Sequence, residues 1–339
     1  MERKLASVRR IAAIDPIPGA DAIEVATVDG WQVVVKKGEF QVNQLAVFCE
    51  IDSWIPREVA PFLCKAVKSF NGVEGERLRT IKLRGQLSQG LLLPMSCIEQ
   101  ADGLALNNWM PGDDVTHILR IQKYEKPLSA QLAGLAKGNF PSFLKKTDQE
   151  RIQNLTREFE EWKARGLSFE VTEKLDGSSM TVFFKDGQMG VCSRNLELKE
   201  DDTNTFWKVA KTFPCEPNGQ EGAVQGELVG PGIQGNPYRL AEHKMYVFDL
   251  WYWDQDSPGF YQEPDVRRKV IADDGILNHV PIVSIGTKLP DTIAEVLAMS
   301  DGQSQLAPVP REGLVWKCEQ DPSISFKAIS NKWLLKEKD

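Results

Sequence analysis

Ser168-Phe169-Glu170-Val171-Thr172-Glu173-Lys174-Leu175-Asp176-Gly177-Ser178-Ser179 decides how the chain is read. Residues 168 to 174 alternate with a period of two, which predicts a strand placing Glu170, Thr172 and Lys174 on one face and Phe169 and Val171 against a core. Asp176-Gly177-Ser178-Ser179 then turns the chain. Met180 to Phe184 returns it to an Asp186-Gly187 hairpin, and a third strand ends at Ser193-Arg194-Asn195. Lys174 is thereby expected at a strand tip over a cleft. A lysine before an Asp-Gly turn is common on surfaces, so this stretch gains meaning only from its partners. For its amine to act as a nucleophile it must lose its proton, which burial, neighbouring cations or a metal would favour by lowering its pKa.

Downstream, further charged groups stand at strand ends. Gln225-Gly226-Glu227-Leu228 closes an apolar strand, and Gly230-Pro231-Gly232-Ile233-Gln234-Gly235-Asn236 follows as a glycine-rich loop. Lys244 to Leu250 reads as a strand whose Phe248 either stacks on a purine or packs in the core. Glu312 precedes the strand Gly313 to Lys317. In Ser323 to Ser330, Ile324, Phe326 and Ala328 share one face and Lys327 takes the other, where it would neutralise phosphate charge.

The N-terminal part has a different texture. Leu5 to Val8, Ala22 to Val28, Gln32 to Val35, Leu45 to Phe48, Arg77 to Leu83 and Gly90 to Leu93 are short β-rich runs. Turn signals at Pro18-Gly19, Asp29-Gly30 and Lys37-Gly38 divide the first four. Strands at this density predict a small barrel. Arg77, Arg79, Lys82 and Arg84 form its densest basic cluster, readable as a nucleic-acid-binding patch or as charges protecting a sheet edge. The expected organisation is a barrel over 1–122, a linker over 123–146 with one short helix, and a second domain over 147–339. Thr147 and Glu150 have the spacing of a capping box, predicting a helix whose stripe is Ile152, Leu155, Phe159 and Trp162, ended by Gly166. Arg151 would lie in its first turns, as a surface arginine or reaching inward to a phosphate.

Composition sets the limits. The 339 residues are 42% hydrophobic and 26% charged, ordinary for globular domains. MERKLASVRR has no apolar run behind it and no segment approaches the ~18 residues of a membrane span. The six cysteines at 49, 64, 97, 192, 215 and 318 form no Cys-x-x-Cys pair, and with three histidines they suggest neither disulfides nor a zinc site. An intracellular, cytoplasmic protein without membrane attachment is expected. The net charge of −7 has the wrong sign for bulk attraction to nucleic acid. Residues 1–128 balance 16 basic against 16 acidic side chains, so any nucleic-acid surface must be local.

Taken as a series, Glu-Lys-Leu-Asp-Gly-Ser-Ser, Ser193-Arg-Asn, Gln225 to Asn236, Tyr246-Val-Phe-Asp-Leu, Glu312-Gly-Leu-Val-Trp-Lys and Phe326-Lys-Ala-Ile-Ser-Asn-Lys resembles motifs I, Ia, III, IIIa, IV and V of the covalent nucleotidyltransferases. The run from Pro16 to Val35 resembles OB folds of the tRNA-binding kind. Within the superfamily the chain looks most like ATP-dependent RNA ligases, and with a barrel in front and little after motif V, most like the nick-sealing fifth family. That resemblance implies an α+β fold, an OB-like β-barrel followed by an ATP-grasp-like ligase domain of antiparallel sheets flanked by helices.

It also implies site roles. Lys174 would carry AMP. Glu173 and Phe248 would hold adenine, and Arg194 and Glu227 the ribose or a nearby phosphate. Asp176, Glu227 and Glu312 would orient the water shell of Mg²⁺ or Mn²⁺. Lys327 would bind the α-phosphate as a second catalytic residue, with Arg151 a further nucleotide contact. The partner would be RNA, a nicked duplex with RNA at the 3′-hydroxyl side, and the enzyme a monomer. One departure stands out: motif V in related ligases is Lys-x-Lys, but Ile329 occupies the second place and Lys332 lies at a different spacing. A capping-type guanylyltransferase and a non-enzymatic OB-fold RNA-binding protein are the competing readings.

Overall fold

The computed structural model describes residues 3–103, 108–125, 134–213, 221–253 and 259–336. It divides into two compact units, Met1–Pro127 with Gln153–Thr156, and Leu128–Ile152 with Arg157–Asp339.

The first unit wraps short strands about one core. Ala6–Arg10, Leu45–Cys49 and Leu91–Pro94 form one antiparallel sheet, and Ala13–Pro16, Ile23–Val28 and Trp31–Lys36 a meander. Val8, Val47, Ile55, Leu93, Ile98 and Leu119 fill the centre. Trp31 is fully buried, and its indole N–H donates to Asn154 Oδ1 (2.7 Å). The run Arg77 to Leu83, expected as one strand, is divided into Val73–Arg77 and Thr80–Leu83, because Leu78 between them turns into the core. Gln122–Lys123, at the start of the expected linker, pairs with Ser53–Pro56. Residues 126–133 of that linker, and with them Pro127, lie outside the described part.

In the second unit two sheets carry the architecture. The smaller has the order Glu150–Arg151, Ser325–Ile329, Gly313–Cys318, Ser168–Lys174, Ile282–Lys288, with its first pair parallel and the rest antiparallel. The larger is built around Ser178–Lys185, Gln188–Cys192, Gly222–Val229 and Lys244–Tyr252. At its edge Ala136–Asn139 pairs with Leu196–Leu198. One face of the larger sheet, with Met180, Val182, Val224 and Val247, buries Phe206 and Trp207 of helix Thr205–Ala210 and Ile271 of helix Pro264–Asp274.

The smaller sheet's outer face is aromatic. Trp162 stacks on Phe326 (5.8 Å, 7°) and Trp316 on Phe326 (5.6 Å, 15°), with Phe169 edge-on to both Trp316 and Phe326. Trp162 belongs to helix Thr156–Ala164, which starts eight residues later than the Thr147 capping box predicts. The reason is pairing: Glu150 and Arg151 lie beside Phe326 and Lys327 in a parallel ladder, which holds residue 150 extended. The Glu150 carboxylate accepts from the Arg151 N–H (2.8 Å), a local bond that competes with helix capping. Gly166, at φ +62°, stops the helix as expected.

Candidate active site

Cross-strand partners share a face, so register fixes what surrounds Lys174. In the smaller sheet Lys174 lies opposite Gly313, Thr172 opposite Val315 and Glu170 opposite Lys317. The next strand places Ile329 beside Gly313 and Lys327 beside Val315, and Arg151 then flanks Lys327. Lys174, Lys327 and Arg151 therefore project from one surface. The larger sheet contributes the rows Ser179–Glu227–Tyr246 and Thr181–Gln225–Asp249. The two surfaces meet at a buried ion network. The Asp249 carboxylate accepts from Lys317 and lies 3.4 Å from Arg267, while Arg267 and Arg268 both donate to Glu170.

A β-bulge shapes this surface. Gln225 pairs with Asp249 and Gly226 with Val247, so Phe248 is an extra residue on its strand. Val247 and Leu250 both enter the hydrophobic core, whereas Asp249 reaches Lys317 and Phe248 packs with Tyr246 against Leu175, Tyr238 and Val280. Phe248 thus lies among the groups around Lys174 and not in the main core.

The charges around Lys174 are concentrated. Its ammonium donates to Glu312 Oε1 at 2.7 Å. Burial works to lower its pKa, but Glu312, Glu227 and Asp176 together outweigh burial and raise it. The depressed lysine pKa expected from sequence is therefore not what this surround produces: three carboxylates hold the amine cationic. Glu227 answers from the other side, pushed up to about 8 by burial and by repulsion from Glu312 and Asp176, with Lys174 opposing. An excess of carboxylate over lysine, all hard oxygen donors, suits Mg²⁺ or Mn²⁺. Among the described residues no three carboxylate, histidine or cysteine side chains converge into a direct ligand cage. A cation that keeps several of its own waters fits that spacing.

Two contacts lock the turn that carries Asp176. Its N–H donates to the buried Tyr238 hydroxyl (2.7 Å), and the Gly177 carbonyl accepts from Gln234 (3.3 Å). A Cβ on Gly177 would stand 2.5 Å from the Leu228 carbonyl and 2.8 Å from Glu227 Cγ, so only glycine lets the turn lie against the Glu227 strand. Burial raises the Tyr238 phenol, which stays protonated.

Glu173 faces the other way from Lys174. Its Oε2 accepts from the Gln305 N–H (2.9 Å), while Oε1 is buried with no hydrogen-bond partner among the described residues. Burial raises its pKa against the Ser304 hydroxyl, the Gln305 N–H and Arg311. The segment it anchors supplies Leu306, Ala307 and Val309 to the cluster that also receives Phe248.

Arg194 is exposed, pairs with Asp148 (2.9 Å) and stands near enough to Glu227 to oppose the rise in its pKa. Other expected residues are dispersed. Lys332 is 74% exposed on helix Asn331–Leu334 and paired with Asp301 (3.2 Å), whereas Ile329 is buried on the Lys174 face. In the first unit Arg77 is bound to Asp52 (2.6 Å) and covers the Tyr124 ring (4.8 Å). Arg79 is half-buried, and Lys82 and Arg84 are exposed on the Thr80–Gln89 hairpin.

Sequence reading passed over Tyr238 and the Glu170–Arg267–Asp249–Lys317 network. Asp249 and Lys317 did carry a signal, a charge inside an apolar strand, which is rarely buried unless paired.

A lysine held by carboxylates at a strand tip, with a second lysine and an arginine on the same surface, is an arrangement that suits a covalent nucleotidyltransferase. The RNA ligase family model matches residues 167–333 and an OB-fold domain model residues 5–95. The structure resembles Naegleria gruberi RNA ligase with pyrophosphate (46% identity, TM-score 0.90, all of both chains covered). It also resembles a lysine-to-alanine mutant of that ligase with ATP and manganese (46%, 0.89, 98% of this chain and 99% of that one). A glutamate-to-alanine mutant with AMP and manganese is equally similar (46%, 0.89, 99% of each). No curated protein matches. The chain belongs to the RNA ligase family, with an N-terminal OB-fold domain.

Proposed function

We propose that this ATP-dependent RNA ligase seals nicks in duplexes, joining an RNA 3′-hydroxyl to a 5′-phosphate through lysyl-AMP on Lys174. The observation that carries the reading is Lys174, bound to Glu312 with Glu227 and Asp176 around it, on the surface that also bears Lys327 and Arg151. After losing a proton, the Lys174 nitrogen bonds to the α-phosphorus of ATP as the bond to the pyrophosphate oxygen breaks. The 5′-phosphate then takes the AMP, releasing the lysine. Finally the 3′-hydroxyl oxygen bonds to the activated 5′-phosphorus, its proton is lost, and AMP leaves.

Such transfers depend on in-line positioning and on cations set against phosphate oxygens. Lys327 and Arg151 take that part. Asp176, Glu227 and Glu312 would hold Mg²⁺ or Mn²⁺, which would supply positive charge against the phosphates and weaken the carboxylates' hold on the Lys174 proton. The lone Glu173 oxygen suits the adenine exocyclic amine, with Phe248 against the ring and Arg194 at the ribose or a phosphate. Lys82 and Arg84 contact RNA phosphates. The enzyme works as a monomer in the reducing interior of the cell, and the five cysteines of the described residues are free. No described helix is long and apolar enough to cross a membrane.

Incubation with α-³²P-ATP should label the wild-type protein and leave Lys174→Ala unlabelled; a labelled Lys174→Ala protein refutes the assignment. Labelling from GTP in place of ATP would favour a guanylyltransferase.

A further inference from the structure

A second surface of the ligase unit combines exposed rings with lysines. Phe143 is 38% exposed, edge-on to Phe183 (5.3 Å, 80°) and tilted against Trp253 (5.7 Å, 58°). Beneath it lie Leu144, Cys192, Ala223 and Trp251. Three ammonium groups ride on this surface. Lys185 Nζ stands 5.7 Å from both the Phe143 and Trp253 rings, Lys145 lies 5.4 Å over Tyr261, and Lys146 lies 5.8 Å over Phe140. Glu221 answers Lys185 at 3.6 Å.

Lysine stems covering aromatic rings is an ordinary way to shield apolar area. Two facts go beyond it. The chain carries −7 overall, yet here Lys145, Lys146 and Lys185 gather beside rings that are still open to solvent. The surface is also continuous with the active site. Phe183 pairs with Ala223 and Ala223 with Trp251, on the same side of the sheet as Glu227, four residues further along. At 3.2–3.4 Å per residue the separation is about 13 Å. Between them Gln225 donates to the Lys145 carbonyl (2.9 Å), and the chain from Lys146 runs on to Arg151 beside Lys327.

We propose that this aromatic and lysine surface seats an RNA strand leaving the active site, with unpaired bases stacked on Phe143 and Trp253 and phosphates against Lys145, Lys146 and Lys185. The proposal rests on the RNA-ligase reading above. Stacking suits a substrate of any sequence, because every base presents a π-face. A stacked strand advances about 3.4 Å per nucleotide, so the surface is met about four nucleotides from the joined bond. The ligase therefore holds RNA that is unpaired or frayed on one flank of the break.

The test uses full-length Phe143→Ala, Phe143→Leu and the double variant Lys145→Ala/Lys146→Ala. Affinity is read by fluorescence anisotropy on labelled RNA nicked duplexes with one flank either fully paired or mismatched, over a series of salt concentrations. Label transfer from α-³²P-ATP reports that each variant is folded and should stay within about twofold of wild type. Phe143→Ala should weaken binding to the mismatched flank about 5- to 150-fold, the span of one base stack. Phe143→Leu, apolar without a π-face, should do nearly the same, and the paired flank should be little affected. The lysine double variant should flatten the dependence of log affinity on log salt by about 1.4. Unchanged RNA affinity and salt slope in all three variants overturns the proposal, and so does an equal loss on paired and mismatched flanks. Failure of the wild type to seal RNA would instead count against the underlying function, because binding by the variants is scored separately.

Discussion

Asp249→Asn tests the buried charges that join the two sheets. Asp249 is 3% exposed and Lys317 7%, with Arg267, 1% exposed, at 3.4 Å from the same carboxylate. Removing the carboxylate's charge leaves two buried cations with Glu170 as their remaining nearby anion. Losing one partner of a buried pair costs about 3–5 kcal/mol. At about 2–4 °C per kcal/mol for a unit of this size, thermal unfolding should fall by about 6–20 °C. The double variant Asp249→Asn/Lys317→Met removes both charges and should recover most of that loss, since neutral replacement of a buried pair is often tolerated.

The sign of the pH effect also follows. Burial lowers the Lys317 pKa, Arg267 lowers it too, and Asp249 opposes them. Without Asp249 it drops further below its ordinary value of 10.5. Between the two values the unfolded chain binds more protons, so Asp249→Asn should gain stability as pH rises towards 10.5. Thermal scans of both single variants and the double complete a mutant cycle. Additivity within about 0.5 kcal/mol would refute the idea that these groups act as a unit.

Three further outcomes are expected. Glu227, with a folded pKa of about 8 against an ordinary 4.5, contributes stability that is full below pH 4.5 and lost as pH rises through 8. Unfolding in chelator should show that decline in wild type and not in Glu227→Gln. Calorimetry in buffers of different ionisation enthalpy should find protons released when Mn²⁺ binds at pH 7. Gly177→Ala forces Cβ against the Leu228 carbonyl at 2.5 Å, and should abolish label transfer from ATP while far-ultraviolet circular dichroism is unchanged.

Much of this was legible in the chain. The alternation from Ser168 to Lys174 fixed which face carried the lysine, because successive side chains on a strand point to opposite faces. Glu227 and Lys327 were visible as charges within apolar strands, and Glu312 as the residue before one. Non-local pairing was not. Thr147 to Glu150 has sound helix-start chemistry, but Phe326 and Lys327, some 175 positions away, offer residues 150 and 151 a ladder instead. Phe248 was ambiguous because strand periodicity assigns alternate residues to the core, and the bulge that breaks the alternation depends on its partner strand. Arg77 read as an exposed charge because neither Asp52 nor Tyr124 is near it in sequence. Lys332 could stand for the missing second lysine on paper, but a helix begins after Ser330 and carries it to Asp301.

The bulge at Phe248 gives its strand a reading frame. Before it, side chains at 245 and 247 enter the core; after it, the core positions are even-numbered, beginning at 250. Deleting Phe248 would restore an unbroken alternation with 245, 247, 250 and 252 still facing the core, and would remove only the ring that packs with Tyr246 against Leu175 and Tyr238. The extra residue therefore serves the surround of Lys174 and not the core: the strand keeps its buried side on both flanks of the bulge, and the added position is the one that carries a ring to Leu175 and Tyr238.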